Sequence, residues 1–72
     1  MEFKQLLKIT GKNVKKFRKK NKLSQKEFSN IIRIDKSFLS NVENGKSNLS
    51  IGYLQKIAKG LKVPVSALFK NI

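Results

Sequence analysis

The apolar positions of this chain recur at helical spacing in short stretches separated by polar punctuation, most legibly between Ser24 and Asn48. Phe28 and Ile32 share one face at the i, i+4 spacing. Arg33, Ile34 and Asp35 then break the pattern before a second run with Leu39 and Val42 three apart. Ser24, followed three residues later by Glu27, has the form of a capping box, in which the serine oxygen takes a backbone N–H and the glutamate reaches back. A helix is therefore predicted from Gln25. Asp35 stands where it can cap the second helix, and Asn44 with Gly45 is a stop, since glycine takes the left-handed conformation without a Cβ penalty. Two helices of about two turns each, three residues apart, make a helix-turn-helix by spacing over residues 24–45.

The flanking segments read as scaffold. Phe3, Leu7, Val14 and Phe17 can share one helical face with Gly11 between them. A mid-helix glycine costs about 1 kcal/mol, so the pattern fits a helix from Phe3 or one that starts only after Thr10. Ser50 is a good cap for a further helix whose Leu54, Ile57 and Leu61 form an apolar stripe ending around Gly60. Pro64 opens a last short helix. Its Val65, Leu68 and Phe69, with Ile72, exceed what a small core needs, which points to a second subunit covering them. No repeat, linker or low-complexity segment interrupts the chain, so one all-α domain over residues 1–72 is expected.

Composition narrows the function. A chain of 72 residues buries only about 60% of its unfolded surface, which leaves little room for both a core and a deep catalytic cavity. Seventeen Lys and Arg against four Asp and Glu give a formal charge of +13, which attracts a polyanion, most commonly nucleic acid. An anionic membrane is the weaker partner: no apolar run approaches the roughly 20 residues needed to span a bilayer, and no signal-peptide pattern is present. Without cysteine there is no disulfide or thiolate metal site, and without histidine the usual general base is missing. An enzyme is disfavoured, no metal, cofactor or small-molecule ligand is expected, and the expected compartment is the cytoplasm.

SQKEF, DKSFLSNVENGKSN and LSIGYLQKIAKGLKVPVSALF together resemble the Cro/repressor (XRE) class of helix-turn-helix regulators, from about Gly11 to Phe69. Within that class the run Asp35 to Ser40, then Val42, Glu43, Gly45, Asn48 and Ser50, is most similar to the controller proteins of restriction-modification systems. The resemblance implies a compact five-helix bundle of the phage-repressor type. It also implies a largely buried ion pair between Glu43 and Arg18, one of only two arginines here, whose planar fork suits a carboxylate better than an ammonium does.

In this fold the start of the motif's second helix enters the major groove. By position, the base-reading residues are Lys36, Ser37, Phe38, Ser40 and Asn41. Lys36 can donate to guanine O6 and N7, and Asn41 carries the amide pair that suits adenine. Phe38 lies opposite Leu39 and Val42, where contact with a thymine methyl would account for it; the alternative is packing on a neighbouring helix. Phosphate contacts are expected from Gln25, at the amino end of a helix where backbone N–H groups favour anions, and from Lys26, Lys46, Ser47 and Asn48. Arg33 departs from the family's glycine or asparagine at a turn of positive φ. Left-handed arginine costs about 1–2 kcal/mol, so either the turn differs or the strain is kept for a phosphate contact.

The function implied is a sequence-specific transcriptional regulator that reads double-stranded DNA as a homodimer on a pseudo-palindromic operator, its interface formed by Val65, Leu68, Phe69 and Ile72. The alternative is a DNA-binding antitoxin. Such proteins generally need a toxin-binding surface beyond the fold, and residues 1–8 are the segment available for it.

Overall fold

Gly11 does not break the first helix. The computed structural model describes residues 2–70, and in it α1 runs unbroken over Phe3–Lys20. Gly11 is buried where α1 crosses the end of the helix-turn-helix; a methyl group there would overlap the carbonyl oxygens of Val42 and Glu43. The close approach offsets the helical cost of glycine and settles the boundary that the apolar pattern left open. The remaining helices are α2, Gln25–Ile32, α3, Lys36–Glu43, and α4, Ile51–Leu61.

Side-chain caps set two of these starts. Ser24 Oγ accepts from the Glu27 N–H at 3.0 Å, and the Glu27 carboxylate accepts from the Ser24 N–H at 2.9 Å. Ser50 Oγ accepts from the Tyr53 N–H at 3.2 Å. Asp35 corrects the expectation: its backbone takes the cap position, but its carboxylate accepts no cap hydrogen bond, and α3 starts on backbone geometry alone.

The expected fifth α-helix is instead a 3₁₀ helix, Val65–Phe69, so the described residues hold four α-helices and one 3₁₀ turn. Five residues behind a proline suit i→i+3 bonding, which begins with the Ala67 N–H on the Pro64 carbonyl at 3.0 Å. Asn13 draws this segment onto α1: its buried amide donates to the carbonyls of Leu68 and Lys70, both at 2.8 Å. The core is Val14, Phe28, Ile32, Leu39, Val42, Ile57, Ala58, Leu61 and Leu68.

Leu68 is thus a correction too. It is wholly buried inside its own chain, where such a side chain contributes about 1.5–3 kcal/mol, and cannot form a subunit interface. Val65 is half-buried against the same core. Phe69 stays partly exposed, at 38%, and Ile72 lies outside the described residues.

Candidate nucleic-acid interface

The turn between α2 and α3 hangs on one strained residue. Arg33 has φ 58° and ψ 51°, in the left-handed region that a β-carbon disfavours, and the Ile34 N–H closes the end of α2 on the Ser29 carbonyl at 3.0 Å. The turn therefore has the positive φ that glycine or asparagine would serve, and arginine carries the strain. The Arg33 carbonyl also accepts from Lys56 Nζ at 3.2 Å, tying the turn to α4.

Behind α3 lies a buried polar lock. Arg18 meets Glu43 in a fork, Nε to Oε2 at 2.7 Å and Nη2 to Oε1 at 3.0 Å, with the two residues 7% and 6% exposed. The third arm of the guanidinium, Nη1, donates to the Leu23 carbonyl at 2.7 Å, and Gln25 Nε2 donates to Glu43 Oε1 at 3.1 Å. One carboxylate thus joins α1, the start of α2 and the end of α3. The Gln25 link was not legible in the sequence. It turns the side chain of this expected phosphate contact inward, half-buried, while the amino end of α2 stays at the surface.

On α3, Leu39, Val42 and Glu43 face inward while Lys36, Ser37 and Asn41 are exposed and Ser40 is half-buried beside them. These four positions form one outward polar face at i, i+1, i+4 and i+5, continued by exposed Asn44. From the sequence, Asn44 reads only as part of a helix stop. Phe38 takes the alternative that the sequence left open. Half-buried against the core, it packs on Tyr53 of α4 with ring centroids 4.8 Å apart and planes at 44°; standing four residues before Val42, it shares the inward side of α3 and does not lie opposite it.

Of the other expected phosphate contacts, Lys26 is exposed on α2, and Lys46 and Asn48 are exposed with Ser47 half-buried on the loop after α3. That loop leaves the helix through Gly45, φ +72°, against the backbone of Lys8, where a β-carbon would come within 3.0 Å of Lys8 Cα. Hydrogen bonds from the Ser24 backbone N–H, the larger effect, and from its hydroxyl hold the Glu27 carboxyl below its usual range.

A separate apolar face gathers Phe3, 59% exposed, and Phe69 around a groove of about 130 Å³ lined by Leu6, Leu7, Leu49 and Leu54. Ile51, 73% exposed, precedes Leu54 by one helical turn. Among the described residues no group of acidic side chains could hold a metal, and no helix is long and apolar enough to cross a membrane.

A helix-turn-helix family model, HTH_3, matches residues 14–68. The chain belongs to this helix-turn-helix family. It is 44% identical over 63 residues to the control protein C.MunI of a Mycoplasma species, covering 86% of this chain and 85% of the relative. It is also 40% identical over 55 residues to the antitoxin PezA of Streptococcus pneumoniae serotype 4; the match takes in 76% of this chain but 35% of PezA. In structure it is similar to the restriction-modification controller protein C.Esp1396I, solved as a tetramer with its natural 35 base-pair operator: TM-score 0.80, 30% identity, 89% of this chain and 84% of that one. These relatives place the chain among DNA-binding regulators of the XRE type, close to the restriction-modification controllers.

Proposed function

We propose that this protein is a transcriptional regulator that binds a pseudo-palindromic operator as a homodimer, in the manner of restriction-modification controllers. The observation that carries the reading is the outward polar face of α3, held rigid from behind by the Arg18–Glu43–Gln25 lock. Lys36 and Asn41 read base edges, with Ser37 and Ser40 as shorter hydrogen-bonding partners. The amino end of α2 with Gln25 and Lys26, and the loop residues Lys46, Ser47 and Asn48, hold phosphates and fix register. Arg33, at the far end of α2, is the outlying member of that set. Phe38 keeps at most its free edge for a thymine methyl, since Tyr53 takes its face.

The dimer follows from specificity and from surface chemistry. One reading helix of eight residues specifies little, and twofold symmetry doubles it, placing half-site centres about 34 Å apart. The groove between Phe3 and Phe69, with Ile51, is an apolar face on a chain of charge +13, and burial of that face is what can offset the repulsion between two like-charged copies. This face replaces Leu68 and Val65 as the proposed interface.

Selection from random-sequence duplexes, followed by fluorescence anisotropy, tests the reading. Lys36→Ala and Asn41→Ala should each weaken binding to the selected operator by about 1–3 kcal/mol and leave random DNA largely unaffected, whereas Lys46→Ala weakens both. No enriched sequence, or equal losses on both duplexes for Lys36→Ala, defeats it. The match to PezA supports a second reading, an antitoxin that also binds its operator. A toxin gene beside this one would favour that reading, and an adjacent restriction enzyme or methyltransferase the controller.

A further inference from the structure

We infer that Lys8, Lys12 and Lys15 of α1 form a shelf for the sugar-phosphate backbone of duplex DNA at the carboxyl end of α3, a contact outside the helix-turn-helix. The inference rests on the operator-binding reading above. The three lysines line one open concavity of about 320 Å³ together with Glu43 and Asn44, the last residues of the reading helix. Their place follows from Gly11: because α1 crosses α3 at that residue, Lys8, Lys12 and Lys15 flank the crossing.

Charge decides what such a row is for. The acidic group in the concavity, Glu43, is already bonded to Arg18 and Gln25, and α1 contains no acidic residue in its 18 positions. Lysines four and three apart on one helix repel one another. Compensation of the α3 dipole accounts for part of the row, since α3 has no basic residue in its own last turn. That dipole amounts to only about half an elementary charge, so three ammonium groups leave more than two positive charges without a partner.

Geometry supplies the partner. An eight-residue helix is about 12 Å long, and the major groove is about 12 Å wide. With its amino end among the bases, α3 brings its carboxyl end to a wall of the groove, where phosphates lie. Asn44 and the three ammonium groups meet the backbone there.

The test uses the full chain with Lys8, Lys12 and Lys15 all changed to Gln. A control with Lys59, Lys62 and Lys70 changed to Gln removes the same charge from the far end of α4 and beyond it. Salt titrations by fluorescence anisotropy on operator and random duplexes read the slope of log K against log salt. Each lost phosphate contact lowers the slope by about 0.9, so the shelf variant should be shallower by about 2.7 per protomer, with the ratio of operator to random affinity retained. The control should keep the wild-type slope. A second readout needs no variant: lysine acetylation mapped by mass spectrometry should show Lys8, Lys12 and Lys15 protected by operator DNA, and Lys59 and Lys62 not. Equal slopes for shelf variant and wild type, equal losses in both triples, or unprotected shelf lysines overturn the inference, an acidic protein partner for the row included. Absence of any gap between operator and random DNA in the wild type instead defeats the regulator reading and leaves the shelf to be judged by its slope.

Discussion

Replacing Arg18 by methionine should bring this domain close to unfolding. The substitution leaves the Glu43 carboxylate, 6% exposed, with the Gln25 amide at 3.1 Å as its remaining side-chain partner. Stranding a buried charge in this way costs about 3–5 kcal/mol. At about 0.05–0.15 kcal/mol per residue, a chain of this length has about 4–11 kcal/mol in total, so the single change removes about a quarter of the stability or more. The double variant Arg18→Met/Glu43→Leu removes both charges and keeps comparable volume, so it should recover most of the loss. Urea unfolding followed by circular dichroism on wild type, both single variants and the double closes a double-mutant cycle. Its coupling energy should be at least about 2 kcal/mol. A cost below about 1 kcal/mol for Arg18→Met, or a double variant no more stable than the singles, would refute the reasoning.

Arg33→Gly removes the left-handed strain of about 1–2 kcal/mol but frees the unfolded chain by about 0.5–1 kcal/mol, so no net loss and a gain of up to about 1.5 kcal/mol is expected in thermal unfolding. Leu68→Ala should cost about 2–5 kcal/mol, as emptied core positions do, whereas Ile51→Ser should spare the monomer fold and shift sedimentation from dimer toward monomer. For Glu27, whose carboxyl the Ser24 bonds hold low, the stabilising contribution is complete above the ordinary glutamate range and is lost as pH falls through the lowered folded value. The gap in melting temperature between wild type and Glu27→Gln should therefore be constant near neutral pH and close in acid. A gap that widens in acid has the wrong sign.

What the sequence disclosed and what it hid divide along physical lines. The Ser24–Glu27 box was legible because both partners lie within one turn of chain, and Gly45 was legible because a positive φ leaves few other residues suitable. Asp35 shows the limit of that logic, since residue type locates a cap but does not turn the carboxylate toward it. Contacts across the chain were hidden. Asn13 finds its acceptors at Leu68 and Lys70, more than fifty positions away, and by doing so carries Leu68 into the core that an apolar surplus had suggested it would leave. Phe38 failed on helix geometry: four residues before Val42 it shares that residue's side of α3, so it packs half-buried against the core and Tyr53 instead of lying opposite. The Arg18–Glu43 pair came from family resemblance, whereas its third member, Gln25, had no local signal.

The cations themselves are poor carriers of specificity. With seventeen Lys and Arg on a chain of this size, attraction to phosphate is available in many registers on any duplex. Discrimination must then come from directional groups, which in the proposed function are Ser37, Ser40 and Asn41 beside Lys36. Hydrogen bonds of that kind tolerate little displacement, so their value depends on how firmly α3 is held. The Arg18–Glu43–Gln25 lock adds directional hydrogen bonds at the carboxyl end of α3 to the apolar packing of Leu39 and Val42, which alone allows more sliding. The Arg18→Met/Glu43→Leu protein is consequently the informative one to assay on DNA: it regains stability but not orientation. Its affinity for random duplex should stay near wild type while the operator advantage narrows, separating the energy that folds this domain from the geometry that lets it read.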